Sequence, residues 1–120
     1  MPKCEVIFAR GLSLKSIEGL SDNDKVIEGI FFFDPKDNIY KDHFPGYPVV
    51  PGSLIVHAFV TAAKRQGWIY GGWSLEDFRF TYFVSPGKCQ FRIRSYDDGN
   101  FFECELRSEG KLSATGRLRP

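Results

Sequence analysis

Residues 52–66 constrain the chain more than any other segment. Leu54, Ile55, Val56, Ala58, Phe59, Val60, Ala62 and Ala63 fall on nearly every side of a helix drawn through them. Pro51 stands at its start, and Gly67 follows where a left-handed cap fits. A helix with so little polar surface has to be enclosed by other structure. Its polar residues, Ser53, His57, Thr61 and Lys64, recur at intervals of three or four and share one stripe.

The second half of the chain supplies the enclosure. Cys89, Phe91 and Ile93 alternate with Gln90, Arg92 and Arg94, the two-residue period of a half-buried strand. Phe102, Cys104 and Leu106 alternate with Glu103, Glu105 and Arg107, and Leu112, Ala114 and Leu118 with Lys111, Ser113 and Arg117. Asp97-Asp98-Gly99-Asn100 and Glu109-Gly110 separate these runs and supply positive-φ positions for tight hairpins, so the three strands are antiparallel neighbours. Residues 26–33 and the aromatic-rich stretch 75–84, which ends at Ser85-Pro86-Gly87, read as earlier strands. Residues 5–9 read as a further strand and 12–20 as a short helix. The expected class is α+β, an antiparallel sheet wrapped around one long central helix, with residues 1–120 forming one domain; a chain of 120 residues is too short for a core and a second globular unit.

Composition excludes several functions. Sixteen basic against fifteen acidic residues leave a net charge of +1, with no broad basic surface for nucleic acid. Cys4, Cys89 and Cys104 are odd in number and lack CxxC spacing, which argues against a disulfide framework and a zinc knuckle and fits reduced, mostly buried thiols. No apolar run approaches the roughly 20 residues that span a bilayer, and the start MPKCEVIFAR lacks a signal-peptide pattern, so a cytoplasmic location without membrane insertion is expected. Twelve Phe, five Tyr and two Trp exceed what a generic core needs and are also suited to lining an apolar channel. Phe31, Phe32, Phe33, Phe78, Phe80 and Phe83 are for the most part assigned to the core.

The segment His43-Phe44-Pro45-Gly46-Tyr47-Pro48-Val49-Val50-Pro51-Gly52-Ser53-Leu54-Ile55-Val56 carries three prolines and two glycines at fixed spacing between a His and an apolar helix. It resembles the signature of the 3-hydroxyacyl-acyl-carrier-protein dehydratase family almost residue for residue. Residues 78–90, with Val84-Ser85-Pro86-Gly87, are similar to that family's second recognisable block. The resemblance covers the central half of the chain and implies a hotdog fold, in which an antiparallel sheet wraps one long helix.

The family's chemistry takes a proton from the carbon beside a thioester carbonyl and expels the 3-hydroxyl as water. By resemblance His43 is the catalytic base, a role that suits neutral imidazole with its unperturbed pKa of about 6.5. The Gly52 amide, at the helix N-terminus, is the candidate donor to the thioester oxygen, and Phe44 and Pro45 shape the surrounding loop. Tyr82 and Phe83 fall near the family's tunnel wall. Lys64, Arg65 and Lys88 are candidates to meet the acidic surface of an acyl carrier protein. The family's second catalytic position, normally Glu or Asp, falls on His57, and a cationic His57 beside a neutral His43 is a workable acid and base pair. Thr61 stands where the family often has Gln, and Asp42 precedes His43 in place of a small residue.

The resemblance further implies a homodimer, with higher oligomers allowed, whose sites pair His43 of one subunit with His57 of the other. It implies no cofactor beyond the phosphopantetheine arm carried by the substrate. The other readings are a catalytically silent acyl-binding or partner subunit, and a thioesterase of the same fold using Asp42. For His57 alone the bland reading is a core histidine bonded to a backbone carbonyl. A metal held by His43, His57 and Asp42 is weighed and set aside, because no further ligand is evident.

Overall fold

The computed structural model describes residues 4–13, 25–37 and 48–120. Among the described residues six strands and one long helix follow one another: β1 (Cys4–Ser13), β2 (Lys25–Phe33), α1 (Gly52–Arg65), β3 (Ser74–Phe80), β4 (Gly87–Tyr96), β5 (Phe101–Ser108) and β6 (Lys111–Arg119). They form a single antiparallel sheet in the order β1-β2-β4-β5-β6-β3. This order fixes the place of the helix. The chain leaves β2 near one edge and re-enters the sheet as β3 at the opposite edge, so the connection through α1 crosses the sheet's face. The arrangement is the hotdog fold.

Alternation puts Ile27, Phe31, Phe33, Cys89, Phe91, Ile93, Phe102, Cys104, Leu106, Ala114 and Leu118 on the face that meets the helix, and all are buried. From α1, Leu54, Ile55, Ala58, Phe59, Val60, Ala62 and Ala63 join them. Phe31 is the hub of the aromatic packing: its ring stacks on Phe91 with centroids 4.0 Å apart and meets Phe59 edge-on at 5.2 Å. Such pairs add about 0.5–1.5 kcal/mol each to the burial of the rings. The outward residues form rows of alternating charge across the sheet. Arg94, Glu103, Arg117 and Glu76 follow one another on β4, β5, β6 and β3, and Arg92 pairs with Glu28 at 2.8 Å. These pairs are half-exposed, so each contributes at most about 1 kcal/mol.

Several expectations change. The helix is not enclosed on every side: Ser53, His57, Lys64 and Arg65 are exposed. The strand expected over 75–84 stops at Phe80, because the chain beyond it peels off to bond differently. The Thr81 N–H donates to the Ser113 carbonyl at 2.8 Å, and the Val50 N–H donates to that of Val84 at 2.8 Å. Ser113, expected on the outer face, is buried, its hydroxyl donating to the Lys111 carbonyl. A register shift opposite Leu106 and Arg107 accounts for this break in alternation. Leu12, placed in a helix by sequence, belongs to β1, and the rest of that stretch lies outside the described residues.

Gly67 is the left-handed cap. Its φ is +77°, its N–H donates to the Lys64 carbonyl, and the Trp68 N–H reaches back to Ala63 at 2.9 Å, the paired bonds of a Schellman motif. Gly67→Ala forces a side chain into this conformation and is expected to destabilise the chain by about 1 kcal/mol, read as a lowered midpoint in thermal denaturation. Glu109 and Gly110 both have positive φ, as the two-residue hairpin between β5 and β6 requires. The turn at Asp97–Gly99 is instead a short 3-10 segment, with Asp97 and Gly99 at positive φ.

Candidate active site at the helix N-terminus

Pro51 sets up the entrance to α1. Its ring fixes an extended backbone, φ −62° and ψ 144°, and its carbonyl accepts the N–H groups of Leu54 and Ile55 at 3.0 and 3.2 Å. The N–H groups of Gly52 and Ser53 meet no backbone acceptor among the described residues. No side chain of Pro51 caps them, and the helix dipole adds positive potential at this end. The Phe80 ring lies over Gly52: a Cβ built on Gly52 comes 2.9 Å from Phe80 Cζ.

His57 stands further along α1 on the exposed stripe. Among the described residues nothing hydrogen-bonds its ring, while its carbonyl accepts the Thr61 hydroxyl at 2.8 Å. The reading of His57 as a buried core histidine is therefore incorrect. An imidazole open to solvent on a helix face is free to meet a substrate or a second chain. His43, Phe44, Pro45 and Asp42 lie outside the described residues. Lys64, Arg65 and Lys88 are exposed, the first two in the last turn of α1.

The aromatic residues at the β3 edge differ from expectation. Phe31 and Phe33 fill the core, but Phe80 and Phe83 do not, being 48% and 80% exposed. Tyr82 is 51% exposed, its ring under the Lys111 ammonium at 5.1 Å. Tyr82 and Phe83, expected near a tunnel wall, are thus open to solvent rather than enclosed. Trp73 and Leu75 are also exposed, so open apolar side chains follow one another along β3 and its flanks. Leu75 pairs with buried Leu118 and Phe80 with buried Ala114, so both face the helix side of the sheet. The sheet's apolar inner face thus runs past what α1 covers.

Sequence reasoning missed Phe80 as part of the site. Strict alternation puts Leu75 and Phe80 on opposite faces of β3, but the strand carries a bulge. Asp77, at φ +52°, inserts between the paired residues Glu76 and Arg79 and restores Phe78 and Phe80 to the inner face. The Phe78 ring then lies directly on Gly116, where any side chain would collide with it.

Two other chemistries find little support among the described residues. Burial pushes both the Cys89 and the Cys104 thiols up, against a role as nucleophile. No cluster of three or more described His, Cys, Asp or Glu residues is placed to hold a metal. Troughs of about 310 and 290 Å³ lie on the charged outer face of the sheet, lined by residues such as Arg92, Glu105 and Arg117 rather than by Gly52 or His57. We place the site on the N-terminal half of α1, where the Gly52 and Ser53 amides meet no backbone acceptor among the described residues and the His57 imidazole is open.

Comparison with known proteins decides the family. The model of the ApeI-like family, described as ApeI dehydratase, matches residues 20–117. The chain belongs to the ApeI-like dehydratase family. Solved structures agree on the fold. An uncharacterized protein from Erwinia carotovora subsp. atroseptica superposes with a TM-score of 0.67 at 18% identity, covering 98% of this chain and 97% of that one. The dehydratase heterocomplex ApeI:P from Xenorhabdus doucetiae gives 0.61 at 20% identity, over 98% and 96%. An inactive mutant of the CurK dehydratase gives 0.59 at 17% identity, over 92% of this chain and 41% of that one. Hotdog dehydratase is therefore the class of this chain, and no described helix is long and apolar enough to cross a membrane.

Proposed function

We propose that this chain dehydrates 3-hydroxyacyl thioesters carried on acyl carrier protein to trans-2-enoyl thioesters, in lipid or polyketide synthesis. The observation that carries the reading is His57, exposed on the stripe of a helix whose first amides meet no backbone acceptor among the described residues, in a dehydratase family member. His43 takes the proton from carbon 2, and the charge that develops on the thioester oxygen is held by the Gly52 N–H. His57 gives its proton to the departing 3-hydroxyl, which leaves as water. The proton gained by His43 returns to solvent and His57 is reprotonated, so no cofactor is consumed.

The working unit in this reading is a homodimer, with His43 of one subunit facing His57 of the other. Its support is the uncovered inner face at the β3 edge. Among the described residues no strand pairs with the outer edge of β3, and the exposed Trp73, Leu75, Phe80 and Phe83 on it and beside it need a cover, for which a second copy offers an equally apolar one. Phe83→Asp is expected to shift the assembly from dimer to monomer in light scattering after size exclusion, because it places a charge in that contact. Turnover should fall with it.

The replacement of a carboxylate by His57 favours a second reading, a partner subunit without turnover of its own. The similar ApeI:P assembly is a dehydratase heterocomplex, which gives that reading a precedent of form. The reverse reaction separates the two. The purified chain should hydrate a short trans-2-enoyl pantetheine thioester, seen as loss of the enoyl absorbance in the ultraviolet. A silent subunit leaves the absorbance unchanged, and a His57→Glu substitution then restores the reaction.

A further inference from the structure

Two glycines bracket a pair of rings beside the site. On β6, Gly116 has no side chain to keep Phe78 away, and the Phe78 ring packs onto its backbone. Phe78 is also held by Phe59, with centroids 6.0 Å apart. Phe80 leans on Phe78, again at 6.0 Å, with the ring planes 38° apart. The far edge of Phe80 then fronts Gly52, its Cζ, Cε2 and Cε1 lying 2.9, 3.1 and 3.4 Å from where a Cβ would stand. The hydrogen bond from the Thr81 N–H to Ser113 pins the backbone just beyond. Phe80 is half-exposed, yet it is backed by the partly buried Phe78 ring, which in turn rests on buried Phe59.

Cβ bonds on a helix tilt toward its N-terminus, so the ring occupies space on the side of the Gly52 N–H, which meets no backbone acceptor among the described residues. A carbonyl oxygen accepting from that N–H sits about 2.9 Å from the nitrogen, so the atoms next to the carbonyl come within a few ångströms of Gly52, whose open side the Phe80 ring fronts. In the proposed reaction one hydrogen of carbon 2 leaves with the base, and a substituent that stays on the Phe80 side has to fit beside the ring. A hydrogen fits there. A methyl carbon needs about 3.5–4.0 Å to each ring carbon and must displace a ring backed by Phe78.

We propose that Phe80 is a specificity-determining residue that admits thioesters with an unsubstituted carbon 2 and disfavours those carrying a 2-methyl group. The proposal rests on the dehydratase reading and adds the substrate class to it.

The test compares 3-hydroxybutyryl and 2-methyl-3-hydroxybutyryl thioesters of the same carrier protein with the unchanged chain, Phe80→Ala and Phe80→Tyr. One methyl group in a fitted pocket discriminates by about 10–200-fold. The unchanged chain and Phe80→Tyr should therefore prefer the unsubstituted thioester by about 10-fold or more in kcat/KM. In Phe80→Ala the gap should close, chiefly through a gain on the methylated substrate. Equal use of both substrates by the unchanged chain overturns the proposal, as does a Phe80→Ala variant that loses both activities in parallel with the ratio intact. If the unchanged chain turns over neither substrate, the dehydratase reading fails, and equilibrium binding of the two pantetheine thioesters decides the role of Phe80 separately. Tighter binding of the unsubstituted thioester that disappears in Phe80→Ala upholds it, and equal affinities overturn it.

Discussion

Phe59→Ala is expected to cost about 3–5 kcal/mol of folding stability, a large part of the 5–15 kcal/mol that holds a typical domain together. Phe59 is fully buried at the middle of α1. Its ring meets Phe31 and Phe91 edge-on at 5.2 and 6.4 Å and Phe78 at 6.0 Å. It therefore ties the helix to β2, β4 and β3 together. Truncation removes the transfer energy of the ring and leaves a cavity that three strands and a helix cannot close, since each is fixed by its own hydrogen bonds. The midpoint of thermal unfolding should fall by roughly 10–20 °C. Phe59→Leu keeps most of the volume and is expected to cost under about 2 kcal/mol. Equal losses for the two variants would mean that the ring contacts, rather than the filled space, govern this junction.

His57→Ala should leave stability nearly unchanged, because the side chain is exposed and no described residue bonds its ring. Its effect belongs to turnover. Loss of a positioned general acid lowers kcat by about 10²–10⁴-fold. In the unchanged chain kcat/KM against pH should be bell-shaped, since one imidazole must be neutral and the other protonated. His57→Ala should lose the limb that falls at high pH, and His57→Glu should recover much of the rate. A monotonic rise with pH in the unchanged chain would remove the acid role from His57.

How much of this was legible in the sequence differs from element to element. The helix, its Gly67 cap and the three closing strands follow from local periodicity, and the family motif points to Gly52 and His57. β3 did not follow. Its bulge at Asp77 shifts which residues face inward, and Phe80, assigned to the core, faces the inner side of the sheet but is left uncovered. The departure of residues 81–84 from the sheet depends on hydrogen bonds to Ser113 and Val50, distant in sequence. The exposure of Phe80, Tyr82 and Phe83 was likewise hidden, because hydrophobic patterning marks what is to be covered and not whether the cover comes from the same chain. The contact between Phe80 and Gly52 joins β3 to the helix entrance, a placement that no local signal encodes.

The most direct test of the central claim is mass spectrometry of a 3-hydroxyacyl carrier protein incubated with the unchanged chain and, in parallel, with His43→Ala. Loss of one water from the carried acyl group, absent with His43→Ala, is the predicted result. An acyl group of unchanged mass after incubation with the unchanged chain, or its release as free acid, would contradict the account.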